Sequence, residues 1–192
     1  MKKILLLMVP VLLLSGCALG TRRPMLNYSI IFPSAAKNNI VVKVSDFNDE
    51  RTWSKAKIGD VKGGFGNRCG EIIPQNSVTV WIKEALKKEL NNAGYTISDD
   101  ASVNNIIGGD VLEVYTDAYW NYGGRVRLKI VLKKDGEEVL AKEYSAEKNC
   151  GMQWAATAAS FGKTMELTLQ DVMKQVLPDI NKALLKNTDV VE

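Results

Sequence analysis

The chain has 192 residues, 46% of them hydrophobic and 24% charged, a globular composition long enough for one domain to bury roughly 70% of its unfolded surface. Lys and Arg number 25 against 22 Asp and Glu, so the basic excess of a typical nucleic-acid binder is missing. There is no histidine, which excludes Ser-His-Asp and Cys-His catalysis and histidine-ligated metals.

Residues 1–17 read MKKILLLMVPVLLLSGC, with Lys2 and Lys3 ahead of an apolar run from Ile4 to Leu14. As a helix that run spans about 16 Å, short of the ~30 Å hydrocarbon core, so it reads as a signal peptide over 1–16. Leu14-Ser15-Gly16-Cys17 resembles the lipobox of bacterial lipoproteins. The resemblance implies a diacylglyceryl group on the Cys17 thiol, cleavage before Cys17, and acylation of the new amine with a fatty acid such as palmitate. Several acyl chains anchor stably where one is marginal. The rival reading is a plain secreted protein with an incidental cysteine. Ala18 follows where the familiar inner-membrane retention signal has Asp, which points to the periplasmic side of the outer membrane. Without Lys2 and Lys3 the mature chain carries 23 basic against 22 acidic side chains.

Residues 17–38 contain Pro24 and Pro33 and read as a lipid-anchored tether, with room for a short edge strand at 28–32. Fully extended, it would reach about 70 Å. A single domain is expected over 39–188, followed by a tail at 189–192. It opens on alternating Ile40, Val42 and Val44, a half-buried strand. The segment Asp46–Trp53 and a loop with Gly59, Gly63, Gly64, Gly66 and Gly70 come next. From an N-cap at Ser77, the positions Val78, Trp81, Ile82, Ala85, Leu86 and Leu90 recur at helical spacing, and Gly94 ends the helix.

A second strand is expected over 103–115, with Gly108-Gly109 marking a bulge or a close backbone approach. In the third, Val126, Leu128, Ile130 and Leu132 alternate with Arg125, Arg127 and Lys129. Asp135-Gly136 turns it into a fourth strand over 138–146. Phe161, Met165, Leu169, Val172, Val176, Ile180 and Leu184 form the stripe of a last helix, which Pro178 is expected to kink or restart. The order strand, helix, three strands, helix predicts an α+β domain, with a single mainly antiparallel sheet of about four strands and two main helices packed on it.

Cys69 and Cys150 remain once Cys17 is acylated. In an oxidising compartment two such thiols are expected to pair. The chain-entropy model gives roughly 4.5 kcal/mol for closing a loop from 69 to 150. As metal ligands, two sulfurs without histidine make a poor site. Gly162-Lys163-Thr164 contains the end of a phosphate-binding loop, but position 157 is Thr where that motif needs Gly, so no nucleotide is expected. The glycine-dense loop could cradle an anion, or be a plain surface loop. Asp46, Asp49 and Glu50 beside Arg51 could be paired catalytic carboxylates, or a solvated turn with a local ion pair. Tyr115, Tyr119, Trp120 and Tyr122 crowd one strand junction beside a basic strand face. Tyr119, Trp120 and Tyr122, with Arg125 and Arg127, form the candidate partner-binding surface, unless the rings belong to the core. On an extended segment Trp120 and Tyr122 would share a face.

The lipobox, the segment DFNDERT, the Ile58-Gly59 pair, the helix ending Ala93-Gly94-Tyr95 and the strand start Gly124-Arg125-Val126 together resemble the YajG-like family of bacterial lipoproteins, over nearly the whole chain. That resemblance implies an outer-membrane-type lipoprotein of the kind that assists other envelope machinery. The expected function is a non-enzymatic, lipid-anchored domain that binds another envelope component, with no cofactor, metal or nucleic acid. The alternatives are a purely structural envelope lipoprotein and a small cell-wall or lipid hydrolase, the latter without a nucleophile motif.

Overall fold

In the computed structural model, residues 20–63, 65–152 and 156–185 are described. The signal peptide, Cys17 and the tail at 189–192 lie outside them. The described residues form seven strands: β1 (Val41–Asp49), β2 (Gly59–Lys62), β3 (Arg68–Ile72), β4 (Thr96–Ile97), β5 (Asn105–Ala118), β6 (Asn121–Lys134) and β7 (Glu137–Met152). Two helices accompany them, α1 (Val78–Asn92) after β3 and α2 (Ala158–Leu185) after β7.

The helix α1 follows its sequence pattern closely. Ser77 caps it by accepting from the Val80 N–H at 3.4 Å, and Val78, Trp81, Ile82, Ala85, Leu86 and Leu90 are buried. At the other end the Tyr95 N–H bonds the Leu90 carbonyl, and Gly94 adopts φ +93 with the Ala36 carbonyl so near that a Cβ would lie 2.2 Å from it. Only glycine serves both demands. Pro178 neither ends nor restarts α2, which stays helical through it.

The sheet overturns the expected fold class. It is a curled, mixed, seven-stranded sheet and not a mainly antiparallel one of about four strands. The long strands β5, β6 and β7 pair antiparallel, and Asp135 (φ 53) with Gly136 (φ 85) makes the β6–β7 turn as the Asp-Gly signal predicts. The other edge of β5 is shared by two strands, both parallel to it. β1 runs beside its first half and β2 beside its second. β4 extends β1 in parallel, and β3 pairs antiparallel with β2. Gly108 and Gly109 make the close approaches the sequence suggests: a Cβ would lie 2.1 Å from Ser45 Oγ and 1.8 Å from the Lys129 carbonyl, respectively.

One sheet face packs against the helices. Val126, Leu128, Ile130 and Leu132 of β6 and Ile107, Val111 and Val114 of β5 meet Phe161, Met165, Leu169, Val172 and Met173 of α2, all at most 1% exposed. Gly124 lets α2 settle closely, since a Cβ there would sit 2.5 Å from Thr168 Oγ1. The opposite face of β5–β7 carries the alternate polar residues.

The expected tether is instead part of the fold. Residues 20–24 line the free edge of β3: the Gly20 N–H bonds the Cys69 carbonyl at 3.2 Å, the Arg22 N–H bonds the Glu71 carbonyl at 2.7 Å, and the Ile73 N–H bonds the Arg22 carbonyl. Leu26 and Tyr28 are buried. Asn76 holds both backbone groups of Leu26, Trp81 Nε1 donates to the Asn27 carbonyl, and Asn92 Nδ2 donates to the Phe32 carbonyl. This segment forms no strand at 28–32; α1 side chains satisfy its backbone in place of a strand partner. Proline blocks ladder pairing, but not burial of Leu26 and Tyr28.

Candidate functional site

Tyr119 and Trp120 form the turn between β5 and β6. Trp120 is 67% exposed and Tyr119 40%, their rings meeting edge to face with centroids 5.4 Å apart. Tyr122, two residues on, is buried and packs edge to face on Phe161 at 5.2 Å. The expected shared face for Trp120 and Tyr122 therefore fails. Two-residue periodicity applies within a strand, and Trp120 stands in the turn, before β6 begins at Asn121. Tyr122 belongs to the core, not to a contact surface.

Arg125 and Arg127 do lie on the open face of the sheet. Arg125 caps the Tyr115 ring at 4.8 Å and is 3.5 Å from Glu113, and Arg127 is 3.8 Å from Glu143. Trp53, from the loop after β1, packs edge to face on Tyr115 at 5.1 Å and lies under Lys57 Nζ at 5.4 Å. Lys62 pairs with Asp117 beside them, a bond that raises the Lys62 pKa, and burial raises that of the Tyr115 phenol. The open face thus carries an aromatic and basic strip with an acidic fringe. A shallow groove lined by Glu113, Arg125, Arg127, Ser145 and Glu147 runs across it. Trp53 escapes sequence reasoning because its contact with Tyr115 bridges 62 positions in the chain.

The acidic cluster resolves into structural pieces. Arg51, 3% exposed, donates two bonds to the Asp49 carboxylate and others to the Lys55 and Lys57 carbonyls, closing the loop that precedes β2. Its bonds hold the Asp49 carboxyl below the usual range. Lys83 lowers Asp46 in the same way. Asp171 and Asp179 are lowered by bonds from Lys148 and Lys142, and Asp100 by the Ser102 N–H. For Glu166, burial pushes upward and bonds from Lys163 and Ser29 outweigh it. Asp46 and Asp49 are thus each held as an anion by its own cation, the local ion pairs of the alternative reading of this cluster. Gly162-Lys163-Thr164 lies inside α2, where Thr164 bonds the Ser160 carbonyl, so its amides serve the helix and not a phosphate. Among the described residues no group of three or more acidic or cysteine side chains is placed to hold a metal.

Cys69 and Cys150 are separate thiols, against the expected bond. Cys69 lies between the Val61–Gly70 and Lys62–Arg68 pairs, and from there the register runs Val61 to Ala118, Ala118 to Tyr122 and Tyr122 to Cys150. The two positions thus stand four strand steps apart along the sheet, on strands that do not pair, whereas a disulfide needs Cα atoms about 4.4–6.8 Å apart. The glycine-dense loop is largely β2 and β3, a hairpin whose tip carries Phe65 at 99% exposure. Sequence reasoning missed this residue, although glycines flanking one aromatic were the available signal.

The model of an uncharacterized lipoprotein family, Lipoprotein_16, matches residues 31–184. No curated protein matches the chain. Among solved structures, protein XCC0632 from Xanthomonas campestris, assigned to DUF330, is similar at TM-score 0.62 and 12% identity, over 88% of this chain and 99% of that one. A second, titled only an uncharacterized protein, gives TM-score 0.58 at 9% identity, covering 83% and 99%. Hypothetical protein CT253 from Chlamydia trachomatis gives 0.51 at 10% identity, covering 79% and 100%. At such identities the likeness is one of fold.

Proposed function

Because this chain belongs to the Lipoprotein_16 family of uncharacterized lipoproteins, we propose that it is a bacterial envelope lipoprotein, acylated on Cys17, which binds another envelope component without catalysing a reaction. The lipobox ending at Cys17 supports the anchor. The finer kinship with YajG-like lipoproteins and residence in the outer membrane, facing the periplasm, belong to the same reading, the latter supported by Ala18 after the cysteine. The single observation that carries the binding role is the open sheet face. There Trp53, Tyr115, Arg125 and Arg127 are held in place by ring stacking and ion pairs, on the side of β5–β7 that neither helix covers. Rigid aromatic and Arg side chains offer large contact area at low entropic cost.

Two measurements test this. Palmitate labelling should mark the wild type and not Cys17→Ser, with the labelled protein in the outer-membrane fraction; equal labelling of both sinks the anchor. Photo-crosslinking from position 127 in cells should capture one partner species, lost on Arg125→Glu with thermal stability unchanged. The same crosslinking pattern in that variant rules the face out.

A further inference from the structure

The two ends of the sheet differ sharply in what they expose. At one, the β6–β7 turn presents Asp135 and Gly136 flanked by Lys133, Lys134, Glu137 and Glu138, with no aromatic ring. At the other, the tips of β2–β3 and β5–β6 present Phe65, Trp120 and Tyr119, which are 99%, 67% and 40% exposed. These two tips touch, since a Cβ on Gly66 would lie 3.9 Å from the Tyr119 ring. A ring fully in water at a hairpin tip contributes nothing to the core, and aromatics of this kind favour the boundary between lipid and water.

Gly20 is bonded to the Cys69 carbonyl, at the start of β3 next to the Phe65 tip, and residues 20–22 run parallel to β3 away from that tip. Cys17 therefore precedes Gly20, on the outer edge of this end of the sheet, by three residues, which reach at most about 10 Å. A tether of 22 residues could let the domain roam; a leash of three cannot.

We infer that Phe65, Tyr119 and Trp120 form a membrane-seating end that inserts into the phospholipid interface holding the acyl chains of Cys17. The inference rests on the proposed acylation and deepens it: the lipid fixes distance, and the aromatic tips fix orientation. The sheet then stands with the Asp135-Gly136 turn pointing away from the membrane, and the open face of Arg125 and Arg127 runs between the two ends, accessible from the side.

The test uses full-length acylated protein, extracted in detergent and reconstituted into phosphatidylethanolamine and phosphatidylglycerol vesicles, with and without acyl chains brominated near the headgroup. The emission difference between wild type and Trp120→Phe isolates the Trp120 signal from the other tryptophans. In brominated vesicles that difference should fall to half or less, and Phe65→Ser should restore part of it. An unchanged difference, in protein whose intact mass carries the acyl groups, overturns the seating while leaving the anchor intact. An intact mass without acyl groups overturns the anchor, and the orientation with it. Trp120 emission shielded from acrylamide yet indifferent to bromine shows a protein occupant, which also overturns the lipid assignment.

Discussion

Arg51 shows how a short charged stretch resolves once its surroundings are known. Buried at 3% exposure, it depends on Asp49, and its other bonds hold two carbonyls of the following loop. Asp49→Asn should cost about 2 kcal/mol at pH 7, because it leaves a buried cation short of its counter-charge. The folded pKa of Asp49 is depressed. Its stabilisation is therefore full above the unfolded value near 3.9 and lost as pH falls through the lower folded value. The gap between mutant and wild type in thermal melts should accordingly be constant from pH 7 to 5 and close below about pH 4. A gap that persists in acid would mean Asp49 acts through its shape and not its charge. Neighbouring aromatics likewise separate by position: Tyr122→Ala should lower stability by about 3 kcal/mol, and Trp120→Ala by under about 0.5 kcal/mol. Denaturant unfolding of the two variants checks this, and equal losses would place both rings in the core.

At the scale of elements, the segment before β1 behaves as a strap across α1. Glu89, fully buried in α1, accepts from the Tyr28 hydroxyl at 2.6 Å and from the Ile31 N–H at 2.9 Å, and Gln170 of α2 donates to the Ser29 carbonyl. The Tyr28 hydroxyl is held protonated, by burial first and by the Glu89 bond second. Glu89→Ala removes the one oxygen, Oε1, that accepts both bonds, so it should free the strap before the rest of the fold. Hydrogen exchange in residues 26–38 should accelerate at least tenfold, with β5 and β6 protected as before. Uniform acceleration across the sheet would show instead that the strap and the sheet unfold as one unit. The sequence identified α1, β6 and the β6–β7 turn because their periodicities and turn residues are local. It missed β2, β3 and β4, which have four, five and two residues, too few to display a period, and it read a proline-bearing strap as solvent-borne chain.

For the whole molecule, the mixed pairing around β5 is the decisive feature. With β1 and β2 sharing one edge and β6 taking the other, Cys69 and Cys150 end on strands four steps apart. Native protein treated with a thiol reagent at neutral pH should therefore label both cysteines, and peptide mapping without reductant should find no link between them. A cross-linked Cys69–Cys150 peptide would require β3 and β7 to meet, and would replace the open, curled sheet with a closed one.

The sequence by itself determined what depends on neighbours along the chain: the caps and apolar stripe of α1, the alternation of β6, and the Asp135-Gly136 turn. Only the tertiary structure decided the strand order, the unbonded cysteines, the burial of Tyr122 beside the exposed Trp120, and the meeting of the Gly66 hairpin tip with Tyr119. The physical reason is the range of the forces involved. Helix caps, turns and amphipathic alternation are set within a few residues, whereas which strand lies beside β5, and so which side chains share an end of the molecule, is settled by burying one common apolar face against α1 and α2.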